Sequence, residues 1–386
     1  DEKKKKKNES STQRHLKCKL AQRIALLYLR PRINTWAYKR SSNSLVENFK
    51  KTTGSSKLQT NVVSKVTQNV KTNTMEVQTT TIHKGIDEID DEEYYADVDT
   101  EHLESIIDFL LQALKDKDTV VRWSAAKGIG RITQRLDKDM ADEIVNSLLG
   151  LFSPLEGDSS WHGGCLAIGE LSRRGLLLPE RLKDVFPILF KALLYDVNQG
   201  NYSVGAHVRD SACYVAWAFA RAYDPSLIKD YMLGLAQHLL IVSLFDREVN
   251  CRRAASAAFQ EHVGRQGTFP HGIDILTEAD YFTLGIRTNA YLKVAPFVAH
   301  YEEYFNEFVD HLAFVKLKNW DPELRKLAAA TLSLLAPINP EYVAKKVLPK
   351  LVESCLNESL LIRHGAIYGV SEIILGLAGK SHMHSC

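Results

Sequence analysis

Cysteine is sparse and unpatterned in this 386-residue chain. The six cysteines, at positions 18, 165, 213, 251, 355 and 386, form no CxxC and take no metal-ligand spacing with histidine. Scattered thiols in a chain this long read as a reduced, intracellular protein in which Cys165, Cys213 and Cys251 act as small buried hydrophobes. Catalytic signatures are missing too: there is no HExxH, no GxxxxGK[ST], no GxSxG and no dinucleotide fingerprint on a strand–helix turn. Long hydrophobic runs are absent. The longest charge-free apolar stretch, Tyr231 to Phe245, is shorter than the roughly 18 residues a membrane span needs. Lysines followed by Leu20–Leu29 imitate a signal peptide, but Arg23 interrupts that run and Pro31-Arg32 follows it. An opening on Asp1 rather than Met is compatible with a fragment.

What is present is an ordinary apolar fraction, 45%, which excludes wholesale disorder. The net charge of +2 hides a strong polarity along the chain. Residues 1–85 carry 19 Lys+Arg against 5 Asp+Glu, whereas residues 86–104 carry 10 acidic residues and no Lys or Arg. The remainder is close to neutral, so no large basic field covers the folded part, which counts against nucleic acid as its ligand. The run Lys3–Lys7 reads as a solvated tail.

Three regions follow. Residues 1–50 combine the basic tail with a short helical pair, Leu16 to Leu27 and Trp36 to Phe49, split at Pro31; its partner is not evident. Residues 51–100 are rich in Thr, Ser, Asn, Gln and Lys and end in Asp87-Glu88-Ile89-Asp90-Asp91-Glu92-Glu93. Such a segment cannot offset its ordering entropy, which predicts a disordered linker. Residues 101–386 are helical in pattern almost throughout, and β-hairpin signals are scarce.

That third region repeats. Aligned on Arg122, the equivalent slot falls at His162, Arg209, Arg252, Arg287, Arg325 and Arg363. Three residues on stand Ala125, Cys165, Ala212, Ala255, Ala290, Ala328 and Ala366, all small; the residue before the slot is mostly apolar. A small residue one turn into a helix permits close approach of a neighbour. Another amphipathic segment precedes most of these helices. Paired helices that cannot bury their own apolar faces predict an all-α solenoid of about seven HEAT/armadillo-type repeats. Asp118 and Asp321, four residues before Arg122 and Arg325, are placed to cap the second helices and to bridge to the adjacent repeat.

Within this pattern Gly128-Ile129-Gly130 reads as a close-packing point. A Cys–His reading of His162 and Cys165 fails for want of exposure and an orienting third group. Glu261-His262 and His382-Met383-His384 are weak as metal sites. The slot arginines, Arg122, Arg209, Arg252 and Arg325, fit pairing between repeats. Arg253 and Arg265 lie outside the slot and are candidate partner contacts, as are Arg173, Arg174 and Arg221 in a stripe suited to an acidic protein surface. Gly264–Asp274 reads as a Gly/Pro-punctuated loop offering Phe269, His271 and Asp274 for binding, or else a connector whose Phe269 tucks into the core.

The strings DKDTVVRWSAAKGIGRI (116–132), WHGGCLA (161–167), VRDSACYVAWAFARAYDP (208–225) and NCRRAASAAFQEHVGRQGTFPHGIDIL (250–276) resemble the tubulin-folding cofactor D family, HEAT-repeat chaperones of β-tubulin. The likeness is close over about 101–376 and looser over 15–50, and the family is much longer than this chain. It implies a cytoplasmic, cytoskeleton-associated protein that binds β-tubulin and an Arf-like small GTPase. It also implies work with cofactors E and C on the αβ-tubulin dimer, and stimulation of tubulin GTP hydrolysis within that complex. It implies no cofactor and no catalytic residue of its own. Two other classes remain at this point: a HEAT-repeat adaptor of nuclear transport or chromatin using the basic arm, and an enzyme on helical repeats, which would need a reactive exposed cysteine.

Overall fold

Asp118, Asp137, Asp224 and Asp321 each stand just before a periodic apolar run, and each side chain accepts a backbone N–H of the helix it precedes. Such caps contribute about 1 kcal/mol apiece and set where the helices start. The computed structural model describes residues 9–32, 34–40 and 100–379. The expected linker and the lysine run therefore lie outside the described residues, apart from Thr100.

The described chain is an α-solenoid. In order it comprises α1 (Ser11–Tyr28), α2 (Thr100–Ala113), α3 (Thr119–Thr133), α4 (Lys138–Leu149), α5 (Asp158–Arg173) and α6 (Leu182–Leu193). A two-residue hairpin, Val197–Asn198 with Ser203–Val204, leads to α7 (Ala206–Ala222), α8 (Pro225–Ile228), α9 (Met232–Phe245), α10 (Val249–Gln266) and α11 (Gly272–Glu278). Then come α12 (Arg287–Asn289), continued by a π turn (Ala290–Val294) into α13 (Ala295–Ala299), α14 (Glu302–Phe314) and α15 (Pro322–Leu335). Last are α16 (Pro340–Tyr342), running through a second π turn into α17 (Leu348–Ser354), and α18 (Leu360–Leu377).

The second helices stack in sequence: α3 on α5, α5 on α7, α7 on α10, and farther on α15 on α18. The small residues predicted at the seams, Ala125, Ala212, Ala255, Ala290, Ala328 and Ala366, are all buried. Removal of this apolar surface from water, at about 25 cal/mol per Å², drives the stacking. Among the described residues two stretches, Pro225–Phe245 and Leu360–Leu377, are long and apolar enough to cross a membrane. In the first, Leu235, Leu239, Leu240, Leu244 and Phe245 are buried in the stack, which accounts for their hydrophobicity.

Three expectations change. First, α1 has a partner: it packs on α2 and α3 and so supplies a further second helix ahead of the predicted seven. Arg14 ties it down through Asp116, with Nε to Oδ2 at 2.7 Å, and Ser11 hydrogen-bonds Asp118. Second, residues 34–40 form no helix and bend at 35–37; the rest of the expected second half, residues 41–50, lies outside the described residues. Residues 34–40 cross the C-terminal ends of three stacked helices: Trp36 Nε1 donates to Leu136 O, Tyr38 N donates to Gly175 O, and the Tyr38 hydroxyl accepts from Asp224 N. Trp36 and Tyr38, spaced like residues of a second helix, are thus anchors of a strap. Third, the register slips in the second unit and in the fifth, where Arg287 is the first residue of α12. The slot arginines Arg122, Arg209, Arg252, Arg325 and Arg363 are all fourth residues of their helices, and in α5 the fourth residue is Trp161, not His162.

His162 instead accepts, through Nδ1, a 2.7 Å hydrogen bond from Arg122 Nε of the preceding unit. Burial, then Arg122 and His207, push its pKa down to about 3; burial likewise takes His262, whose Nε2 meets Ala216 O, to about 4. Both rings are neutral in the fold, while in the unfolded chain they titrate near 6.5. The unfolded state therefore binds more protons over the interval between these values, and stability is lost as pH falls from about 6.5 toward 4. Thermal melting across that range should show the loss, and His162→Gln, which keeps an acceptor and cannot titrate, should flatten it.

Candidate protein-binding surface

The slot arginines point inward. Arg209 forms a bidentate pair with Asp246 of the next unit (Nε–Oδ2 2.5 Å, Nη2–Oδ1 3.2 Å), and both are almost wholly buried. Arg252 donates to Leu284 O, Gly285 O and Asp246 O; Arg325 donates to His364 Nδ1, Asn319 O and Trp320 O. Five fixed donors on a planar fork suit the carbonyls that helix ends leave unpaired, so each arginine joins its own unit to the next. Asp118 and Asp321 cap as expected, and both pairs bridge to adjacent repeats: Asp118 binds Ser11 of α1 and Arg122 reaches His162, while Asp321 faces Arg287 at 3.8 Å and Arg325 reaches His364.

The outward face of the second helices carries a different set. Trp123 on α3 meets Tyr214 of α7 at 5.6 Å between ring centroids, and Tyr214 stacks on Trp217 at 6.0 Å. Tyr214 reaches across α5 because that helix has Gly169 there; a Cβ at Gly169 would lie 2.6 Å from the Tyr214 ring. Cations flank the shelf: the Lys127 ammonium is 5.5 Å from the Trp123 ring and the Arg221 guanidinium 4.6 Å from that of Trp217. All three aromatics are partly exposed. Half-open indole and phenol rings edged by cations offer large contact area at little ordering cost, as in interaction hot spots.

Four of the predicted contact residues line up beside this shelf, at the last turns of three stacked helices. Arg173 and Arg174 end α5 and share the buried carboxylate of Glu170, at 3.0 and 3.5 Å. Arg221 ends α7 and Arg265 ends α10, and both bind Glu261. The others lie apart. Arg253 stacks on Tyr281 at 4.1 Å, near the start of α10. His271, in the left-handed region at φ 53°, stacks on Tyr301 at 4.0 Å, and Asp274 is exposed on α11. Phe269 is 5% exposed, packed on Phe259 and His262, and is unavailable to a partner; the connector alternative holds for it. The expected loop is also shorter than 264–274, since α10 runs through Gln266 to a left-handed cap at Gly267.

No nucleophile emerges at Cys165. It is 3% exposed, burial pushes its thiol up to about 12, and His162 is engaged by Arg122. Cys251 is likewise raised to about 12 by burial and then Asp246. Among the described residues no three His, Cys, Asp or Glu converge to hold a metal ion.

Residues 12–273, from within α1 to the start of α11, match the family described as tubulin-specific chaperone D-like, ARM repeats. The chain belongs to this family. Among relatives of the chaperone D-like family, the chain is 45% identical over 280 residues to tubulin-specific chaperone D of Dictyostelium discoideum, covering 71% of this chain and 19% of that protein. It is 31% identical over 294 residues to tubulin-folding cofactor D of Schizosaccharomyces pombe, covering 72% and 26%. The chain thus spans about a fifth to a quarter of the length of these relatives. Solved structures with some likeness include a designed armadillo repeat protein (16% identity, 68% of this chain and 98% of that one, TM-score 0.29). Kap121p bound to Nup53p is another (15% identity, 68% and 26%, TM-score 0.36). The span shared with the chaperone D-like family contains α1, the strap, the aromatic shelf and the arginine edge.

Sequence reasoning missed the shelf. Trp123, Tyr214 and Trp217 fall one, five and eight residues after their slots, on the face turned away from the helix seams. Large aromatics at those positions, where other units carry Lys127, Ala257 or Gln260, are the signal that marks them.

Proposed function

We propose that this chain is the interaction scaffold of a non-catalytic tubulin chaperone and that the second-helix face, from Trp123 to Arg265, holds β-tubulin. The observation that carries this reading is the coincidence of an exposed aromatic–cation shelf with a chaperone D-like match across the same helices. Aromatic anchors beside arginines are the composition of recognition surfaces, and the relatives' names supply the client. Arg173, Arg174, Arg221 and Arg265 border the contact; Arg253, His271 and Asp274 extend it toward α11. Within the longer protein this segment supports folding, assembly and disassembly of the αβ-tubulin dimer with cofactors E and C and an Arf-like small GTPase, in the cytoplasm and at the cytoskeleton. Stimulation of tubulin GTP hydrolysis belongs to that assembled complex.

Purified β-tubulin should be retained by the immobilised chain, and Trp217→Ala should weaken retention about 30-fold, the loss of one hot-spot residue of ~2 kcal/mol. Circular dichroism should stay helical in the variant. Equal retention by wild type and variant would move the contact off the shelf; no retention by a helical wild-type chain would overturn the reading.

A further inference from the structure

Arg131 sits in the last turn of α3 and Arg135 in the turn just past its end, four residues on; Arg32 lies across from them in the segment after α1. With Leu26, Pro31 and Gln134 they line an open pocket of about 300 Å³, large enough for side chains or a small ligand. Two of its lining groups, the Arg131 and Arg135 guanidiniums, meet no carboxylate among the described residues. What fixes Arg131 and Arg135 is neutral: Arg131 Nη1 donates to Gln22 Oε1 at 2.9 Å, and Arg135 Nη1 donates to Leu26 O and Leu29 O at 2.8 and 2.7 Å. Other arginines of these units meet acids, as Arg181 does at Asp142 and Arg221 at Glu261. Like charges four residues apart at a helix end repel, and amide and carbonyl oxygens orient the forks without cancelling that repulsion. An entering anion would cancel it.

We infer that this pocket is an oxyanion site for the carboxylates of an extended acidic peptide segment of a partner protein. Guanidinium forks accept carboxylates bidentately, and Leu26 and Pro31 offer apolar wall to the methylene stem of a glutamate. The positive charge continues beyond the pocket. Gln134, on its rim, holds Arg174 Nη1 at 2.8 Å. Glu170 serves both Arg173 and Arg174, and Glu261 serves both Arg221 and Arg265, so each pair keeps one charge in excess. Packed helices lie about 8–10 Å apart, and an extended chain in the polyproline II form advances about 3.1 Å per residue with three residues per turn, so acidic side chains three residues apart share one face and meet successive helices. A free anion such as phosphate would fill the pocket and leave that row unused. The site does not require the partner to be tubulin.

Fluorescence anisotropy of the full chain with a short labelled peptide bearing glutamate at every third position tests this, at physiological salt. The lysine run at the N-terminus attracts the peptide equally in every variant, so differences between variants isolate the pocket. Arg131→Gln should weaken binding about tenfold, the worth of one charge-assisted pair, and Arg131→Lys should restore part of it. Arg135→Gln, one turn on, should weaken binding similarly and serves if Arg131→Gln melts early. Arg287→Gln, on α12, should change nothing. Unchanged binding in both pocket variants overturns the inference, as does an equal loss in Arg287→Gln. Saturable binding of inorganic phosphate that depends on Arg131, with no binding of the peptide, overturns it in favour of a free anion.

Discussion

Arg209→Leu should cost about 3–5 kcal/mol, because it strands a buried carboxylate. Asp246 is 3% exposed and loses both hydrogen bonds from the Arg209 fork, keeping among the described residues the one from Glu248 N. Its backbone carbonyl is also an acceptor for Arg252, so the same turn organises the junction into the following unit. Arg209 further donates to Tyr195 O at 2.6 Å, and that carbonyl loses its partner too. Urea unfolding should show a lower midpoint for the units around α7 and α10. The double change Arg209→Met with Asp246→Leu should recover most of the loss, since an apolar pair of similar volume has no charge to strand. Arg265→Ala provides the contrast. It breaks an exposed pair with Glu261 and should cost under about 1 kcal/mol. Arg209→Leu melting like wild type would mean that the fork is solvated and the junction is held by apolar contact alone.

Gly163→Ala should destabilise the chain by about 2 kcal/mol or more, although alanine is the better helix former. A Cβ at Gly163 would lie 2.0 Å from the Leu114 carbonyl oxygen, a backbone atom that cannot swing aside. Overpacking of this kind costs about 1–3 kcal/mol and outweighs the roughly 0.5–1 kcal/mol that alanine gains inside a helix. Gly365 repeats the arrangement in the last unit, where its Cβ would meet Leu317 O at 1.7 Å. Gly264 sets the opposite sign. It is helical, nothing lies within 4 Å of its would-be Cβ, and Gly264→Ala should stabilise by about 0.5–1 kcal/mol. Thermal melts of the two variants moving in the same direction would defeat the argument, because only the approach of α5 to the end of α2 separates them.

Both effects bear on the binding surface. The shelf is assembled from rings on α3 and α7 that meet over α5, so anything that spaces these helices apart pulls Trp123 from Tyr214. Junction variants such as Gly163→Ala should therefore weaken partner binding as well as stability, whereas Trp217→Ala should weaken binding alone.

The all-α class, the paired-helix repeat, the capping aspartates and the inward slot arginines are legible in the order of residues. Each of these is a local or periodic property: a cap needs only its own helix, and a small residue every unit marks a seam wherever it falls. The resemblance to the chaperone D-like family was legible in the same way, as unbroken strings. Tertiary structure alone decided four matters. It seated α1 on α2 and α3 across a long intervening segment, and it turned Trp36 and Tyr38 from helix-period residues into strap anchors. It moved the slot of the second unit from His162 to Trp161, because helix position and not sequence spacing sets which residue faces the junction. It also buried Phe269 while gathering Trp123, Tyr214 and Trp217 from two units, with the last turns of α5, α7 and α10 beside them. Exposure and neighbourhood between units depend on how far one helix rises beside the next, which no single repeat encodes; glycines at 163 and 169 set that distance by what they leave out.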